Sequence, residues 1–344
     1  MRDLSALDLP RLPLATLPTP VEEAPALARA LGVGALWVKR DDRSGPLYGG
    51  NKVRKLEWLL GSAEARGTKR LATVGGIGSN HVLATALYAR PLGLSLDAAV
   101  FLHPKSVSSE RSVRAALAAG VRYHVARSAA SLPAAMVSAR AGRPRAQWIP
   151  AGGSSALGSL GYVDAALELA GQIAGGRCPR PDVIVLPLGS GGTVAGLLVG
   201  LALAELDLPI LAVAVVHRLI TNESGTRRLA ARTAALLGRH GLAVPPGRPA
   251  LEVVHDAFGR GYAHPTPAGL EATQAARDAG LQLETTYTGK ALAALAARGE
   301  RFARATVLFW NTYSSVDLAP LAAEPPAAPV PRRLARWLEA EVRG

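Results

Sequence analysis

Short apolar and β-branched runs alternate with longer Ala/Leu-rich segments of helical period from about residue 51 onward. This alternation is typical of βα units that build a parallel sheet, so it predicts an α/β fold. The strand candidates are 70–74, 97–102, 122–125, 182–188, 210–216, 251–255 and 306–310.

Two segments are strong helix candidates. The first begins at Asn51, a good N-cap residue, and Gly67 is suited to end it. Its apolar positions fall on one face at amphipathic spacing, namely Val53, Leu56, Leu59 and Leu60. The second candidate, 157–173, is rich in Ala and Leu and follows a Gly/Ser loop.

Composition supports a globular chain of two domains. The chain has 344 residues, of which 49% are hydrophobic and 19% charged, so it can bury a substantial core. The formal net charge is +13, but the basic residues are scattered and form no block of five. We therefore expect no nucleic-acid binding.

The sequence gives little indication of a disulfide, a metal site or a membrane span. Cys178 is the only cysteine, and the seven histidines form no HExxH pair, so we expect neither a disulfide nor a metal site. No apolar run reaches the roughly 18 residues of a membrane span, and the first residues lack a signal-peptide core. A cytoplasmic protein without membrane contact is expected.

A Gly-rich turn follows the predicted strand 182–188. The backbone N–H groups of 189–193 and the start of the next helix would suit a phosphate or another anion. The string lacks the third glycine of the dinucleotide fingerprint, and no Gly-Lys-Ser/Thr occurs in the chain. The phosphate would then belong to neither NAD nor ATP, and a tight βα turn without ligand remains an alternative.

If that phosphate belongs to pyridoxal phosphate (PLP), a lysine must bind the cofactor aldehyde. Lys52 follows two glycines at the start of a helix, where the helix N-terminus disfavours a charged ammonium. Lys55 lies three residues further on, and spacing alone does not exclude it.

Six motifs in order resemble the D-cysteine desulfhydrase and 1-aminocyclopropane-1-carboxylate (ACC) deaminase family, PLP enzymes of the tryptophan-synthase-β fold. They span about residues 36–312. The first is the lysine motif, which comprises KRDD and GGNKVRKLE (39–57). The other five are GGIGSNH (75–81), IPAGGSSALGSLGYV (149–163), GSGGT (189–193), GRGY (259–262) and TYTGKA (286–291).

The resemblance implies PLP fold type II, with two open, twisted parallel-sheet α/β domains and the cofactor between them. It implies a larger PLP-binding domain of residues 1–54 plus 161–344 and a smaller, mobile substrate-loop domain of residues 55–160. It also suggests a homodimer.

Residue roles follow from the same resemblance. Lys52 would bind the cofactor covalently and move the Cα proton, and Ser79 would bind the substrate carboxylate and take part in catalysis. Tyr262 and Tyr287 would flank the substrate, the second as an acid/base group or nucleophile. The other cofactor-binding candidates are Asn51, Asn80, Gly189, Ser190, Gly191, Gly192, Thr193, Thr288 and Thr312. The other substrate-binding candidates are Asn80, His81, Gly78, Gly153 and Tyr313.

Each role has a structural alternative. Tyr262 and Tyr287 could be core aromatics, and Ser79 could cap the helix that starts near Asn80.

The chain departs from the family pattern around the substrate loop. Gly78 stands where the family has Gln, and Val82-Leu83 replaces Thr-Arg. Near the C-terminus, Tyr313 stands where the family keeps glycine. We hypothesise that Gly78 enlarges the pocket and that Tyr313 reshapes its far wall.

The expected activity is α,β-elimination from a small, D-configured amino acid, such as D-cysteine to pyruvate, ammonia and sulfide. Thr288, where ACC deaminases carry Glu, disfavours ACC deaminase, because a hydroxyl leaves the pyridine nitrogen less charged than a carboxylate does. A β-replacement enzyme, a racemase and a silent PLP- or amino-acid-binding protein remain alternatives.

Overall fold

The computed structural model describes residues 4–142, 145–247 and 249–341. They form two compact units. Unit 1 comprises the residues up to Leu9, Ala15–Lys55 and Ser154–Ser315. Unit 2 comprises Pro10–Leu14, Leu56–Gly153 and the residues from Val316 onward. No helix among the described residues is both long and apolar enough to cross a membrane.

Strands and helices alternate along most of the described chain. The strands are β1 Val21–Glu23, β2 Ala35–Lys39, β3 Arg70–Gly76, β4 Ser95–Phe101, β5 Arg122–Val125, β6 Gln147–Trp148, β7 Val183–Leu188, β8 Ile210–Ala214, β9 Leu251–Val254 and β10 Thr306–Trp310. The helices are α1 Pro25–Leu31, α2 Asn51–Ala65, α3 Asn80–Ala89, α4 Val107–Ala118, α5 Leu132–Arg140, α6 Ala156–Ala174, α7 Gly192–Leu203, α8 Glu223–Arg239, α9 Pro267–Asp278, α10 Thr288–Ala296, α11 Ala319–Ala322 and α12 Arg332–Glu339.

Each unit is built on one sheet. In unit 1 the strand order is β1-β2-β10-β7-β8-β9, and only β1 runs antiparallel to its neighbour. In unit 2 the order is β5-β4-β3-β6, with all pairs parallel. The predicted α/β class with parallel sheets is confirmed.

The predicted elements are present with small shifts at their ends. All seven predicted strands form, and α2 begins at Asn51. Gly67 ends α2 in a Schellman motif, because its N–H bonds the Glu64 carbonyl at 2.8 Å and the Thr68 N–H bonds the Ala63 carbonyl at 3.0 Å. Sequence reasoning missed β1 and β6, which are only three and two residues long, and β2, which precedes residue 51.

The sheet of unit 1 is buried on both faces. Along β10, Val307 and Phe309 belong to one core cluster, whereas Leu308 and Trp310 belong to the other. Successive strand residues point to opposite faces, so a continuous apolar run is what a doubly covered strand requires. Unit 2 has a smaller cluster built from alanines of β3, β4 and α5, including Ala72, Ala99 and Ala135.

Candidate active site

Lys52 lies in the first turn of α2 and is connected to the Gly-rich turn. Its Nζ donates to Asn51 Oδ1 at 2.5 Å, and Asn51 Nδ2 donates to Thr193 Oγ1 at 3.0 Å. Burial lowers the pKa of Lys52 to about 8, although the Glu284 carboxylate opposes this shift. A sizeable fraction of the amine is therefore neutral near physiological pH, as attack on an aldehyde requires.

Lys55, the alternative lysine, has a different environment. Its side chain is buried and its Nζ lies 5.9 Å from the centroid of the Tyr162 ring. Burial and the nearby Lys52 ammonium lower its pKa well below the usual value. The bonded connection through Asn51 to Thr193 thus favours Lys52 as the cofactor lysine.

The Gly-rich turn between β7 and α7 has the form of an anion cradle. Gly191 caps α7 with a φ of +87°, a conformation that favours glycine. Ser154 supports the turn, since its Oγ accepts from the Gly192 N–H at 3.0 Å and lies 2.7 Å from Ser190 Oγ. A Cβ at Gly192 would lie 2.5 Å from that Oγ. The first turn of α7 presents N–H groups without intrahelical partners, so the residues from Gly189 to Thr193 fit a phosphate.

Tyr262 and Tyr287 form a pair beside this cradle. Their hydroxyl oxygens are 2.8 Å apart, and their rings meet edge to face at 5.9 Å. Tyr287 borders the cradle, because a Cβ at Gly189 would lie 3.3 Å from its Cε1. Burial raises the pKa of Tyr262 to about 12 and that of Tyr287 well above its usual value. Both phenols are therefore protonated at neutral pH and can donate a proton.

Glu284 fixes the start of α10, which carries Thr288. Its carboxylate accepts from the N–H groups of Thr286, Tyr287 and Thr288 at 2.7, 2.7 and 3.0 Å. The hydroxyl of the buried Thr288 accepts from the Glu284 N–H at 3.0 Å. Sequence reasoning missed Glu284, because it predicts no helix start near residue 288 for which a carboxylate could be identified as a cap.

Thr312 and Tyr313 meet the lysine segment through their backbone. The Thr312 carbonyl accepts from the Asn51 N–H at 3.1 Å, and a Cβ at Gly50 would lie 2.6 Å from it. Tyr48, which sequence reasoning also missed, is buried just before the two glycines. Burial, Tyr313 and Glu284 raise its pKa well above the usual value. No local pattern marks this residue.

A buried network around Asp41 holds the first turns of α2. The Asp41 carboxylate accepts from Arg54 Nη2 at 2.8 Å, Tyr162 OH at 2.6 Å and Trp310 Nε1 at 2.7 Å. Arg54 Nη1 also bonds Glu168 at 3.0 Å, and Glu168 in turn pairs with Lys39. Because Arg54 is two residues after Lys52, this network fixes the backbone from which the lysine projects.

The predicted substrate loop lies in unit 2. Ser79 is the N-cap of α3 and accepts from the His81 N–H at 3.2 Å, so its capping role is observed. The imidazole of His81 is buried, with Nε2 2.9 Å from Thr73 Oγ1. Asn80 is the first residue of α3, and Gly153 ends a short 3-10 turn. The substrate roles of these four residues stay predictions.

Gly78 makes a close contact with α4. Its φ is +71°, and a Cβ there would lie 2.7 Å from Ser109 Cβ and 2.8 Å from Ser109 Cα. The expectation that Gly78 enlarges the pocket is not supported, because α4 occupies the space into which its Cβ would point.

Comparisons with known proteins agree on the family. A family model described as "Pyridoxal-phosphate dependent enzyme" matches residues 12–312. The chain is 35% identical over 341 residues to the nocardicin C-9' epimerase of Nocardia uniformis subsp. tsuyamanensis, covering 96% of this chain and 99% of the relative. It is 36% identical over 296 residues to the D-cysteine desulfhydrase of Salmonella choleraesuis (strain SC-B67), covering 83% and 87%. A crystal structure of an ACC deaminase homologue matches with a TM-score of 0.77 and 31% identity, covering 92% of this chain and 98% of that one.

The predicted cofactor and the predicted PLP fold type II are therefore confirmed, and the geometry of Lys52 and of the cradle fits the cofactor. The chain belongs to the pyridoxal-phosphate dependent enzyme family.

Proposed function

We propose that this protein is a lyase that removes the Cα proton and the β-substituent from a small, D-configured amino acid, with D-cysteine as the first substrate to test. The observation that carries the proposal is the placement in unit 1 of the Lys52 amine, bonded through Asn51 to Thr193, and of the Tyr262–Tyr287 pair, whose hydroxyl oxygens are 2.8 Å apart. These are the base and the acid that such an elimination needs. PLP supplies an electron sink for the negative charge that develops at Cα.

Each group of residues has a separate role in the proposed reaction. The cradle from Gly189 to Thr193 holds the phosphate, and Lys52 Nζ takes the Cα proton. The Tyr262–Tyr287 pair donates a proton toward the departing β-substituent, which leaves as hydrogen sulfide in the case of D-cysteine. Ser79 remains the predicted ligand of the substrate carboxylate. Similarity to D-cysteine desulfhydrase over 83% of the chain supports this assignment.

Epimerisation at Cα is the second candidate function. It is favoured by the match to an epimerase over 96% of this chain and 99% of that relative. Here Lys52 would take the Cα proton, and a phenol of the tyrosine pair would return one to the same carbon without loss of a β-substituent. The same side chains thus serve both reactions. The two differ in whether the β-substituent is lost or a proton returns to Cα.

One experiment separates the two candidates. The PLP-loaded protein is incubated in D₂O with the two enantiomers of cysteine and of serine in turn and followed by ¹H NMR and chiral chromatography. Pyruvate release from D-cysteine supports the lyase. Deuterium at Cα together with the opposite enantiomer supports the epimerase. If no tested amino acid shows either change, the proposed substrate class is wrong. A Lys52→Ala variant, treated in the same way, controls for catalysis by free PLP.

A further inference from the structure

Lys290 is a buried lysine that the proposed chemistry does not use. Its side chain is fully buried on α10, and its Nζ donates to the carbonyls of Phe258 at 2.8 Å and Gly261 at 3.1 Å. An ammonium group in such a place is costly unless it is well bonded. Burial lowers the pKa of Lys290, and the Glu284 carboxylate opposes the shift. The chain thus places a lysine amine in its interior and bonds it to two backbone carbonyls, an arrangement that indicates a structural or functional role.

The two carbonyls belong to the loop that carries Tyr262. This loop connects β9 to α9, and within it Ala263 has a φ of +60°. For a residue with a Cβ this conformation is strained and persists only where the surroundings impose it. Lys290 bonds the loop backbone at Phe258 and at Gly261, the residue immediately before Tyr262, and so restrains the segment next to Ala263.

The same helix also contacts the loop at a second point. Tyr287 directly precedes α10, and its hydroxyl meets that of Tyr262 at 2.8 Å. Lys290 follows Tyr287 by three residues, so the two side chains emerge from one helical turn. Lys290 thus bonds the backbone of the loop, and Tyr287 bonds the Tyr262 hydroxyl that this loop carries.

We propose that Lys290 is a positioning residue, which holds the loop so that the Tyr262 hydroxyl meets the Tyr287 hydroxyl. This rests on the proposed function, in which the tyrosine pair is the proton donor. Lys290 acts through Tyr262 and touches neither substrate nor cofactor. Its removal therefore has an effect on catalysis only while the Tyr262 hydroxyl is present.

A double-mutant cycle tests this dependence. Lys290→Met removes the ammonium but keeps an unbranched side chain, and Tyr262→Phe removes only the hydroxyl. We expect Lys290→Met to lower kcat by about 10- to 100-fold, as misplaced catalytic groups do, with little change in KM and with PLP absorbance retained. In the Tyr262→Phe background the same substitution should lower kcat less than about twofold. An equal fall of kcat in both backgrounds, or loss of PLP from Lys290→Met, overturns the proposal.

Two further variants guard against a general loss of structure. Lys290→Gln keeps an N–H donor and should retain a kcat between those of the wild type and Lys290→Met. Lys69→Met, at an exposed lysine, should leave kcat unchanged. If Gln is no better than Met while both proteins fold and hold PLP, donation to the loop carbonyls is not the basis of the effect.

A readout without turnover separates this proposal from the proposed function. The chain has seven tyrosines, so ¹⁹F NMR of the 3-fluorotyrosine-labelled holoenzyme gives few resonances, and Tyr262→Phe and Tyr287→Phe assign two of them. Lys290→Met should shift these two and leave the others in place. Unshifted resonances refute the positioning role, whereas shifted resonances in a protein that turns over none of the tested amino acids refute only the proposed function.

Discussion

The carboxylates of Asp41 and Asp97 each accept hydrogen bonds from several side chains, but the two differ in how far their partners are exposed to solvent. Asp41 in unit 1 and its partner Arg54 are both fully buried. Asp97 in unit 2 pairs with Arg70, Arg122 and His124, and the side chain of Arg122 is 42% exposed. In the first cluster the partners replace water completely, whereas in the second water still reaches the cations.

The difference separates two uses of charge. Asp41 accepts from residues of α2, α6 and β10, so it fixes the element that carries Lys52 to the sheet of unit 1. Asp97 connects β3, β4 and β5 within one sheet through Arg70, Arg122 and His124, none of which is a predicted catalytic residue. We infer that the buried cluster maintains catalytic geometry, whereas the half-exposed cluster contributes modest stability.

The largest effect is expected from Asp41→Asn. The substitution removes one of the two carboxylates that pair with the buried Arg54 guanidinium. Breaking such a buried pair should lower the free energy of unfolding by about 3–5 kcal/mol. Because α2 loses its anchor, the variant should also hold PLP more weakly. Urea unfolding and the visible absorbance after dialysis measure the two effects. A loss below about 1 kcal/mol with full PLP content would show that the network is not what fixes α2.

Asp97→Asn is the matched substitution in unit 2 and should be milder. We expect a loss of about 1–2 kcal/mol, since the charge-assisted bonds are partly screened by water. The loss should shrink in high salt, whereas that of Asp41→Asn should change little. PLP content should remain at the wild-type level. Equal losses for the two variants at every salt concentration would remove the distinction between the clusters.

The smallest effect is expected in the pH dependence of the stability that Asp97 contributes. The bonds from His124, Arg122 and Arg70 outweigh burial and hold the pKa of Asp97 well below its usual value. A carboxyl group with a depressed folded-state pKa stabilises the protein fully above its unfolded value of about 3.9 and loses that contribution as the pH falls. The difference in unfolding free energy between wild type and Asp97→Asn should thus be constant above about pH 5 and decline below about pH 4. A difference that grows on acidification would contradict this account.

Local patterns in the sequence predicted much of the fold and part of the site. Seven strands were visible as β-branched runs, and the Gly-rich turn and Lys52 stood out because glycines at a helix start have a physical use. The Asp41 network was not predictable, since Trp310 lies 269 positions from Asp41 and only the folded sheet brings them together. Tyr48 and Lys290 were missed for the same reason. The contact between Gly78 and α4 also depends on tertiary packing, and it does not support the larger pocket that residue size alone suggests.

The central claim, that Lys52 is the lysine that holds PLP, can be tested directly by chemical trapping. Borohydride reduction of the holoenzyme fixes the cofactor to the amine that carries it, and peptide mass spectrometry then locates the modified lysine. The account predicts a phosphopyridoxyl group on Lys52, and a Lys52→Ala protein should show none in the same peptide. Modification of Lys55 or of any other lysine in place of Lys52 would contradict the claim.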